Sequence, residues 1–188
     1  SEFLLSLFLL IILSPLILIS SILIKIEDNG PILYSQKRTG FGGNIFILYK
    51  LRSMKRNAEK EGIKWSSKND NRITKVGYWL RRTRLDELPQ LFSVLKGDMS
   101  LIGPRPERPE LDQILTEEIP NYKLRYLVRP GLSGWAQVSY PYGASIEDTK
   151  MKFSFDMYYI KNFSTFFDIL IFLETIRLVF NFRGSQPK

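Results

Sequence analysis

The longest apolar segment of the sequence opens the chain. No charged residue lies between Phe3 and Ile24, where only serines and one proline interrupt the apolar side chains. A helix of this length measures roughly 33 Å, about the thickness of the hydrocarbon core of a bilayer. The segment is too long for a signal peptide, and no small-residue cleavage site follows it. We therefore predict a membrane helix over residues 1–26, ending where Lys25 and Glu27 return the chain to water.

Pro15 stands in the middle of this segment, directly after Ser14. A proline inside a helix costs about 3 kcal/mol and leaves one carbonyl without its amide donor. In hydrocarbon that carbonyl needs another donor, and the Ser14 hydroxyl is a natural one. Two outcomes stay open: a kinked helix that spans the bilayer, or a sharper break that returns the chain to its starting face. From these residues alone we favour the kinked spanning helix, with the basic remainder of the chain in the cytoplasm.

Two runs of apolar and aromatic residues follow, and a glycine-rich turn joins them. They are PILYSQKR and NIFILYKLRSM, with TGFGGN at the junction. This pattern predicts a β-hairpin. The glycine spacing fits neither a P-loop nor a dinucleotide-binding fingerprint, so we give little weight to a phosphate-binding turn. In a strand over 45–52, alternation places Lys50 and Arg52 on the same face.

The middle of the chain predicts two short helices. In TKVGYWLRR, a capping Thr74 precedes apolar residues that share one face. In the second helix, apolar residues repeat at helical spacing and end at a glycine cap: Leu88, Leu91, Phe92, Leu95 and Gly97. Pro89 is tolerated only in the first turn, so this helix must begin close to Asp86. Asp86 and Glu87 then lie at the positive end of the helix dipole, which favours their ionised forms.

The carboxyl-terminal part of the chain contains two more helical patterns. MKFSFDMYYIKNFS predicts one helix, and STFFDILIFLETIRLVFNF repeats apolar residues at helical spacing. The second pattern fits either a core helix or an amphipathic helix on a membrane surface.

Two segments nearer the middle of the chain predict loops. LIGPRPERPE predicts a proline-stiffened loop, and the polar segment 55–72 predicts a surface helix-loop or a mobile lid.

Composition narrows the chemistry. The 188 residues include no cysteine and no histidine, and the formal net charge is +8. Disulfides, thiolate sites and imidazole catalysis are therefore excluded, which leaves Asp, Glu, Lys, Ser, Thr and Tyr as catalytic candidates. The basic balance indicates an anionic partner: nucleic acid, anionic lipid or a phosphorylated small molecule.

Asp86 is the main catalytic candidate, although capping a helix is a common role for aspartate and stays the simpler alternative. The functional interpretation depends on nearby cations, which are Lys50, Arg52, Arg81, Arg82, Arg84 and Arg105. A carboxylate pair among such cations suits phosphoryl transfer with Mg²⁺, which usually takes one or two carboxylates together with substrate phosphate and water. Either the carboxylates only hold the metal, or an aspartate attacks phosphorus and forms an acyl phosphate.

Several longer motifs carry a family resemblance. They are YKLRSM, RLDELPQLFSVLKGDMSLIGPRP, RPGLSGWAQV and FDMYYIKN, together with the SP of the first apolar segment. With these motifs, in order over nearly the whole chain, the sequence resembles the bacterial sugar transferases. These are monotopic phosphoglycosyl transferases that start glycan assembly on a polyprenol carrier.

The resemblance implies roles for single residues. Asp86 would attack the β-phosphate of a UDP-sugar, UMP would leave, and undecaprenyl phosphate would then take the phosphosugar from the aspartate. Glu87 would join Asp86 in catalysis by binding Mg²⁺. Contacts with the substrate or its phosphates would come from Lys50, Arg81, Arg105, Arg129 and Asp156. The segments RPERPE and YPYGASIED resemble members that use a simple hexose, galactose or glucose.

The resemblance also implies a fold class and a location. The expected fold is α+β: a mostly helical, membrane-associated domain with a small β-hairpin or sheet and amphipathic interfacial helices. Residues 1–26 would form a re-entrant membrane helix broken at Ser14 and Pro15, which replaces the spanning helix favoured above. Residues 27–188 would form a catalytic domain on the cytoplasmic face of the bacterial inner membrane. The product would enter exopolysaccharide or lipopolysaccharide O-antigen biosynthesis, and a homodimer stays open.

Two hypotheses without catalysis compete with the enzyme. One is a membrane-tethered basic module that binds anionic lipid or nucleic acid, and the other is a membrane anchor for a partner protein. The sequence has no recognisable nucleic-acid-binding motif, and its cations cluster around carboxylates, so we expect no nucleic-acid partner. The anchor explains the apolar helices but leaves the LDELPQ and GPRP motifs without a role.

Overall fold

The computed structural model describes residues 2–58, 62, 70–141, 143 and 145–181. Within these residues, helices pack around two small β-sheets. The predicted surface segment at 55–72 falls largely outside the described residues, so that prediction stays open.

The first apolar segment forms one continuous helix, α1, from Glu2 to Asp28. Pro15 lies inside it and has no amide hydrogen, so the carbonyl four residues earlier, that of Ile11, loses its usual donor. The Ser14 hydroxyl donates to this carbonyl at 2.7 Å, as predicted. The helix therefore continues through the proline with the freed carbonyl satisfied, and the predicted break at Ser14 and Pro15 is wrong as an interruption of the helix.

A narrow face of α1 packs against the rest of the protein, and its wide apolar face is exposed. Ser6, Ser20 and Ile24 are buried, whereas most of its leucine, isoleucine and phenylalanine side chains are exposed. Among the described residues, α1 is the one helix that is long and apolar enough to cross a bilayer. An exposed apolar surface of this extent indicates contact with lipid or with another protein.

The predicted hairpin is confirmed. β1 (Leu33–Thr39) pairs antiparallel with β2 (Ile45–Leu51), and a 3-10 turn over Phe41–Gly43 connects them. Leu48 is 2 % exposed and anchors the inner face of β2 in the core. Because side chains alternate along a strand, Lys50 leaves β2 on this same inner face.

α2 (Lys75–Thr83) begins at the predicted cap, because the Thr74 hydroxyl accepts from the amide of Gly77 at 2.9 Å. Glycine is required at position 77, where a Cβ would lie 2.0 Å from a backbone carbonyl oxygen of the preceding segment. The Glu27 carboxylate near the end of α1 also accepts from the amide of Lys75 at 2.8 Å. The end of α1 and the start of α2 are thus held together.

The chain changes direction between α2 and the next helix. Arg84 adopts the left-handed conformation with φ 57°, a 3-10 turn covers Leu85–Gln90, and α3 runs from Leu91 to Lys96. Gly97 ends α3 with φ 84°, as predicted. The alternative in which Asp86 caps a helix is wrong, because Arg84 is the capping residue of the 3-10 turn and Asp86 lies inside the turn.

A second sheet and four more helices complete the described chain. β3 (Ser100–Ile102) and β4 (Gly131–Ser133) pair in parallel. Between them lie α4 (Pro109–Glu118) and a 3-10 turn over Tyr122–Leu127. After them come α5 (Trp135–Ser139), α6 (Ile146–Lys161) and α7 (Thr165–Phe180). The larger hydrophobic core includes Leu48, Leu91, Met99, Tyr159 and Ile171.

α7 exposes most of its predicted apolar stripe. Phe166 and Phe180 are each 78 % exposed and Leu173 is 59 % exposed, while Ile171 on the opposite face is fully buried. The core-helix interpretation is therefore wrong for this stripe, and the exposed face favours an amphipathic surface helix. The prediction of a mostly helical fold with a small sheet is confirmed.

Candidate active site

Asp86 and Glu87 lie in the 3-10 turn between α2 and α3, packed against β2. They are only 5 % and 6 % exposed. Burying two adjacent carboxylates costs free energy unless cations or hydrogen-bond donors compensate. Among the described residues, such partners contact Glu87, whereas Asp86 Oδ1 accepts no hydrogen bond.

Glu87 is the paired carboxylate. Its Oε1 accepts from Lys50 Nζ at 2.8 Å and from the Arg105 guanidinium. Its Oε2 accepts from Arg105 Nη1 at 3.4 Å, and Arg84 Nη1 lies 3.7 Å from the same oxygen. Burial alone would raise the pKa of Glu87, but these three cations hold it well below its usual range.

Asp86 is the unpaired carboxylate. Within the described residues, no group donates a hydrogen bond to its buried Oδ1. Burial raises the pKa of Asp86 to about 6, and the negative charge of Glu87 adds to the increase. The nearby cations Lys50, Arg81 and Arg105 partly oppose it. At neutral pH the carboxylate is therefore mostly ionised and has an oxygen available for another ligand.

This arrangement suits nucleophilic attack on phosphorus. An ionised carboxylate that is shielded from water is a competent nucleophile, and adjacent cations neutralise the charge of a phosphate that approaches it. Lys50 belongs to these cations, although burial lowers its pKa to about 8 against the opposing effect of Glu87. Lys50 is thus charged at neutral pH and loses its charge in mild base.

The structure brings most of the predicted site residues together. Lys50 and Arg105 meet at Glu87, beside Asp86. Arg81, in α2, lies close enough for its charge to lower the pKa of Asp86. Arg52 departs from the strand prediction: it lies just beyond β2 and pairs with Asp28 at the end of α1 instead.

Two predicted site residues lie apart from the carboxylate pair. Asp156 is 3 % exposed and accepts from Arg125 Nε at 2.9 Å. Arg129 is exposed in the segment that leads into β4. Across the described parts of the chain, no hydrogen bond or ion pair joins either residue to Asp86 or Glu87.

Sequence reasoning missed three polar residues near the site, of which Arg125 and Gln90 are buried and Arg38 is half-buried. Arg38 and Arg125 donate to backbone carbonyls of the loop that carries Arg105, and their acceptors lie 68 and 20 residues away in sequence. Gln90 ends the 3-10 turn that carries Asp86, and no described residue accepts from its buried amide nitrogen. The sequence could have indicated Gln90, because it lies four residues after Asp86 in the same turn. No local motif indicates Arg38 or Arg125.

The donor set fits Mg²⁺. This ion commonly binds one or two carboxylates and fills its remaining positions with phosphate oxygens and water. Asp86 and Glu87 supply two carboxylates, and Asp86 Oδ1 has no competing donor among the described residues. Glu87 would exchange its contact with Lys50 for the ion and keep its contact with Arg105. In the described part of the chain no three acidic residues gather, so substrate and water would complete the shell.

Comparison with known proteins agrees with this geometry. The family model for bacterial sugar transferases matches residues 1–182. The chain belongs to this family. This bacterial sugar transferase is 49 % identical over 173 residues to the UDP-N-acetylgalactosamine-undecaprenyl-phosphate N-acetylgalactosaminephosphotransferase of Aeromonas hydrophila, in a match that covers 92 % of the chain and 41 % of the relative.

Two further relatives carry related names. The UDP-glucose:undecaprenyl-phosphate glucose-1-phosphate transferase of Escherichia coli is 38 % identical over 169 residues, which cover 89 % of this transferase and 36 % of the relative. The exopolysaccharide production protein PSS of Rhizobium leguminosarum is 38 % identical over 173 residues, which cover 89 % of this transferase and 86 % of the relative. The chain thus spans about two fifths or less of the first two relatives and most of the third.

Proposed function

We propose that this chain transfers a hexose 1-phosphate from a UDP-sugar to undecaprenyl phosphate through a covalent intermediate on Asp86. The observation that carries the proposal is the state of Asp86, which is buried, mostly ionised and has one oxygen without a donor among the described residues. The adjacent Glu87 is instead paired with Lys50 and Arg105. Two relatives are named for sugar-phosphate transfer to undecaprenyl phosphate, which supports the same reaction class.

The first step forms the intermediate. An Asp86 carboxylate oxygen attacks the β-phosphorus of the UDP-sugar, and the bond from that phosphorus to the bridging oxygen breaks. UMP leaves with the electron pair, and the phosphosugar stays on Asp86 as an acyl phosphate. Glu87 is a poor nucleophile because Lys50 and Arg105 already neutralise its oxygens.

The second step regenerates the enzyme. A phosphate oxygen of undecaprenyl phosphate attacks the same phosphorus, and the bond to Asp86 breaks. The products are undecaprenyl diphosphate sugar and the free carboxylate, so no proton is gained or lost over the cycle. Splitting one transfer into two lets a single site handle a water-soluble donor and a lipid acceptor in turn.

Cations of the site act on the phosphates. Lys50 and Arg105 lie at Glu87 and would stabilise charge on the transferring phosphoryl group, with Arg81 beside Asp86. Arg129 would reach phosphate from the exposed segment before β4. Mg²⁺ held by Glu87 would neutralise further charge on the diphosphate when bound.

The lipid acceptor requires a membrane, and we propose that α1 bends at Pro15 in the bilayer without losing its helical continuity, so that it enters one leaflet and returns, with the site on the cytoplasmic face of the inner membrane. The support is that both ends of α1 contact the same body. Glu2 Oε1 accepts from the amide of Leu101 at 3.2 Å, and Glu27 accepts from the amide of Lys75 at 2.8 Å. A helix with its ends on opposite sides of a bilayer could not make both contacts unless this body also crossed it. The exposed stripe of α7 would lie at the interface.

UMP release tests the proposed reaction. Incubation with a UDP-sugar, Mg²⁺ and undecaprenyl phosphate should release UMP, and Asp86→Asn should lower the rate at least about 1,000-fold because the amide is a poor nucleophile. Asp98→Asn, the same change in the turn after α3, is the matched control and should remain active. The sugar panel includes galactose, glucose and N-acetylgalactosamine, because the relatives' names divide between the last two. Wild-type activity in Asp86→Asn would reject the covalent route.

A further inference from the structure

The loop that carries Arg105 is fixed through four consecutive backbone carbonyls. Prolines at 104 and 106 remove two amides, so the loop cannot join a regular helix or strand and needs donors from outside. Each carbonyl from Pro104 to Glu107 accepts one hydrogen bond, from Gly131 N at 2.9 Å, Arg125 Nη2 at 2.6 Å, Arg38 Nη1 at 2.7 Å and Thr39 N at 3.0 Å in that order. Donors from three separate places in the chain, at 38–39, 125 and 131, therefore determine where this loop lies.

Arg125 is the donor that holds Arg105 itself, and it is anchored on all sides. Its Nε donates to Asp156 at 2.9 Å, its Nη1 to the Tyr122 hydroxyl at 2.5 Å and its Nη2 to the Arg105 carbonyl at 2.6 Å. Arg125 is 9 % exposed and Asp156 is 3 % exposed. Only a guanidinium offers three donors in this fixed planar arrangement, which a lysine ammonium does not reproduce.

The same residue thus connects two ion pairs. Asp156 fixes Arg125, Arg125 fixes the main chain of Arg105, and the Arg105 side chain pairs with Glu87 beside Asp86. A buried ion pair such as Arg125 with Asp156 contributes little net stability by itself. Its burial also keeps both side chains away from a substrate that enters from solvent or lipid.

We propose that Arg125, oriented by Asp156, is a positioning residue that keeps the Arg105 guanidinium on Glu87, and that neither Arg125 nor Asp156 touches the substrate. The inference deepens the proposed function and depends on it for its assay. Asp156 then affects the reaction indirectly, because it fixes Arg125, which in turn fixes the loop that carries Arg105. An effect of Asp156 or Arg125 on the reaction should disappear once Arg105 is gone.

A double-mutant cycle on UMP release tests this. Arg105→Met should lower kcat/KM roughly 100-fold, as expected for loss of one preorganised cation, and Arg125→Met should lower it about tenfold or more. The double variant should fall within about threefold of Arg105→Met alone, because the second change removes nothing further. Multiplication of the two separate losses would overturn the proposal.

Arg52→Met is the matched control, since it also removes a buried guanidinium that pairs with one carboxylate. Its effect should multiply with that of Arg105→Met. The split between kcat and KM adds a second readout: Arg125→Met should reproduce the split of Arg105→Met, and Arg52→Met should not. A different split in Arg125→Met would count against the proposal.

If Arg125→Met fails to fold, Asp156→Asn takes its place in the cycle, since the amide keeps its shape and loses the charge that orients Arg125. Arg125→Lys should recover only part of the activity, because it retains the charge and loses two of the three contacts. Wild-type protein that releases no UMP with any UDP-sugar would overturn the proposed function and this inference with it. Active wild-type protein with a multiplicative cycle would overturn this inference alone.

Discussion

Asp86 and Glu87 are neighbours in sequence, yet their surroundings push their pKa values in opposite directions. Lys50, Arg84 and Arg105 surround Glu87, whereas the described residues leave Asp86 Oδ1 without a donor. A raised carboxyl pKa means that the fold disfavours the ionised form, and a lowered one means that the fold favours it. Environment, rather than residue type, therefore separates the proposed nucleophile from the proposed metal ligand.

We expect Asp86→Asn to stabilise the fold at neutral pH. The folded pKa of Asp86 is raised, so at pH 7 its ionisation costs free energy that the neutral amide avoids, on the order of 1–3 kcal/mol. Thermal unfolding in nanodiscs should show a Tm several degrees higher than that of the wild type.

Glu87→Gln is the control, and we expect it to change the stability of the fold in the opposite direction. The folded pKa of Glu87 is lowered, so its ionised form stabilises the fold above the unfolded pKa, and the amide loses this contribution. Its Tm should fall. A lower Tm for Asp86→Asn as well would contradict the assignment of Asp86 as the unpaired, strained carboxylate.

The rate of UMP release should depend on pH with two limbs. As pH falls through about 6, Asp86 gains a proton and ceases to be a nucleophile. As pH rises through about 8, Lys50 loses its charge and no longer stabilises the site. Lys50→Arg should abolish the alkaline limb, since a guanidinium does not titrate there. An alkaline limb that persists unchanged in Lys50→Arg would exclude Lys50 as its origin.

At the scale of single elements, local patterns predicted the structure well. The glycine turn of the hairpin, the Thr74 cap and the Gly97 terminus each follow from a few adjacent residues, and all three are confirmed. The turn that contains Asp86 depends instead on the left-handed conformation of Arg84. This conformation is uncommon for arginine, and the neighbouring residues do not predict it. The pair Arg125 and Asp156 joins segments 31 residues apart, which a single sequence does not reveal.

The most specific prediction for a single element concerns the stability of α1 around Pro15. Ser14→Ala should destabilise the protein by about 1 kcal/mol, because the Ile11 carbonyl loses the hydroxyl that replaces its missing amide donor. Pro15→Ala restores the backbone amide, so the double variant should recover stability. Thermal unfolding in nanodiscs measures the effect. A double variant less stable than Ser14→Ala would show that the proline has another role.

At the scale of the whole molecule, apolar surface and charge are separated. The outward faces of α1 and α7 are apolar and exposed, while the carboxylate pair and its cations are gathered in the body to which both ends of α1 attach. A soluble monomer rarely exposes so much apolar surface, whereas an enzyme that meets a lipid phosphate requires a boundary of this kind. The arrangement supports the proposed placement of one site between water and lipid.

Topology follows from this arrangement and can be measured. The sequence has no native cysteine, so single cysteines at Ser1 and at Asn29 can be labelled without background. In oriented membrane vesicles, a membrane-impermeant maleimide applied to the cytoplasmic face should label both positions. Labelling of the two positions from opposite faces would instead support the spanning helix and contradict the re-entrant one.

The central claim is that Asp86 carries the phosphosugar, and intact-protein mass spectrometry without the lipid acceptor tests it most directly. After incubation with a UDP-sugar substrate and Mg²⁺, the protein should gain the mass of one phosphosugar, located on the peptide that contains Asp86. The adduct should be absent in Asp86→Asn and should disappear when undecaprenyl phosphate is added. Full turnover with acceptor, but no adduct under rapid quench without it, would contradict the covalent mechanism.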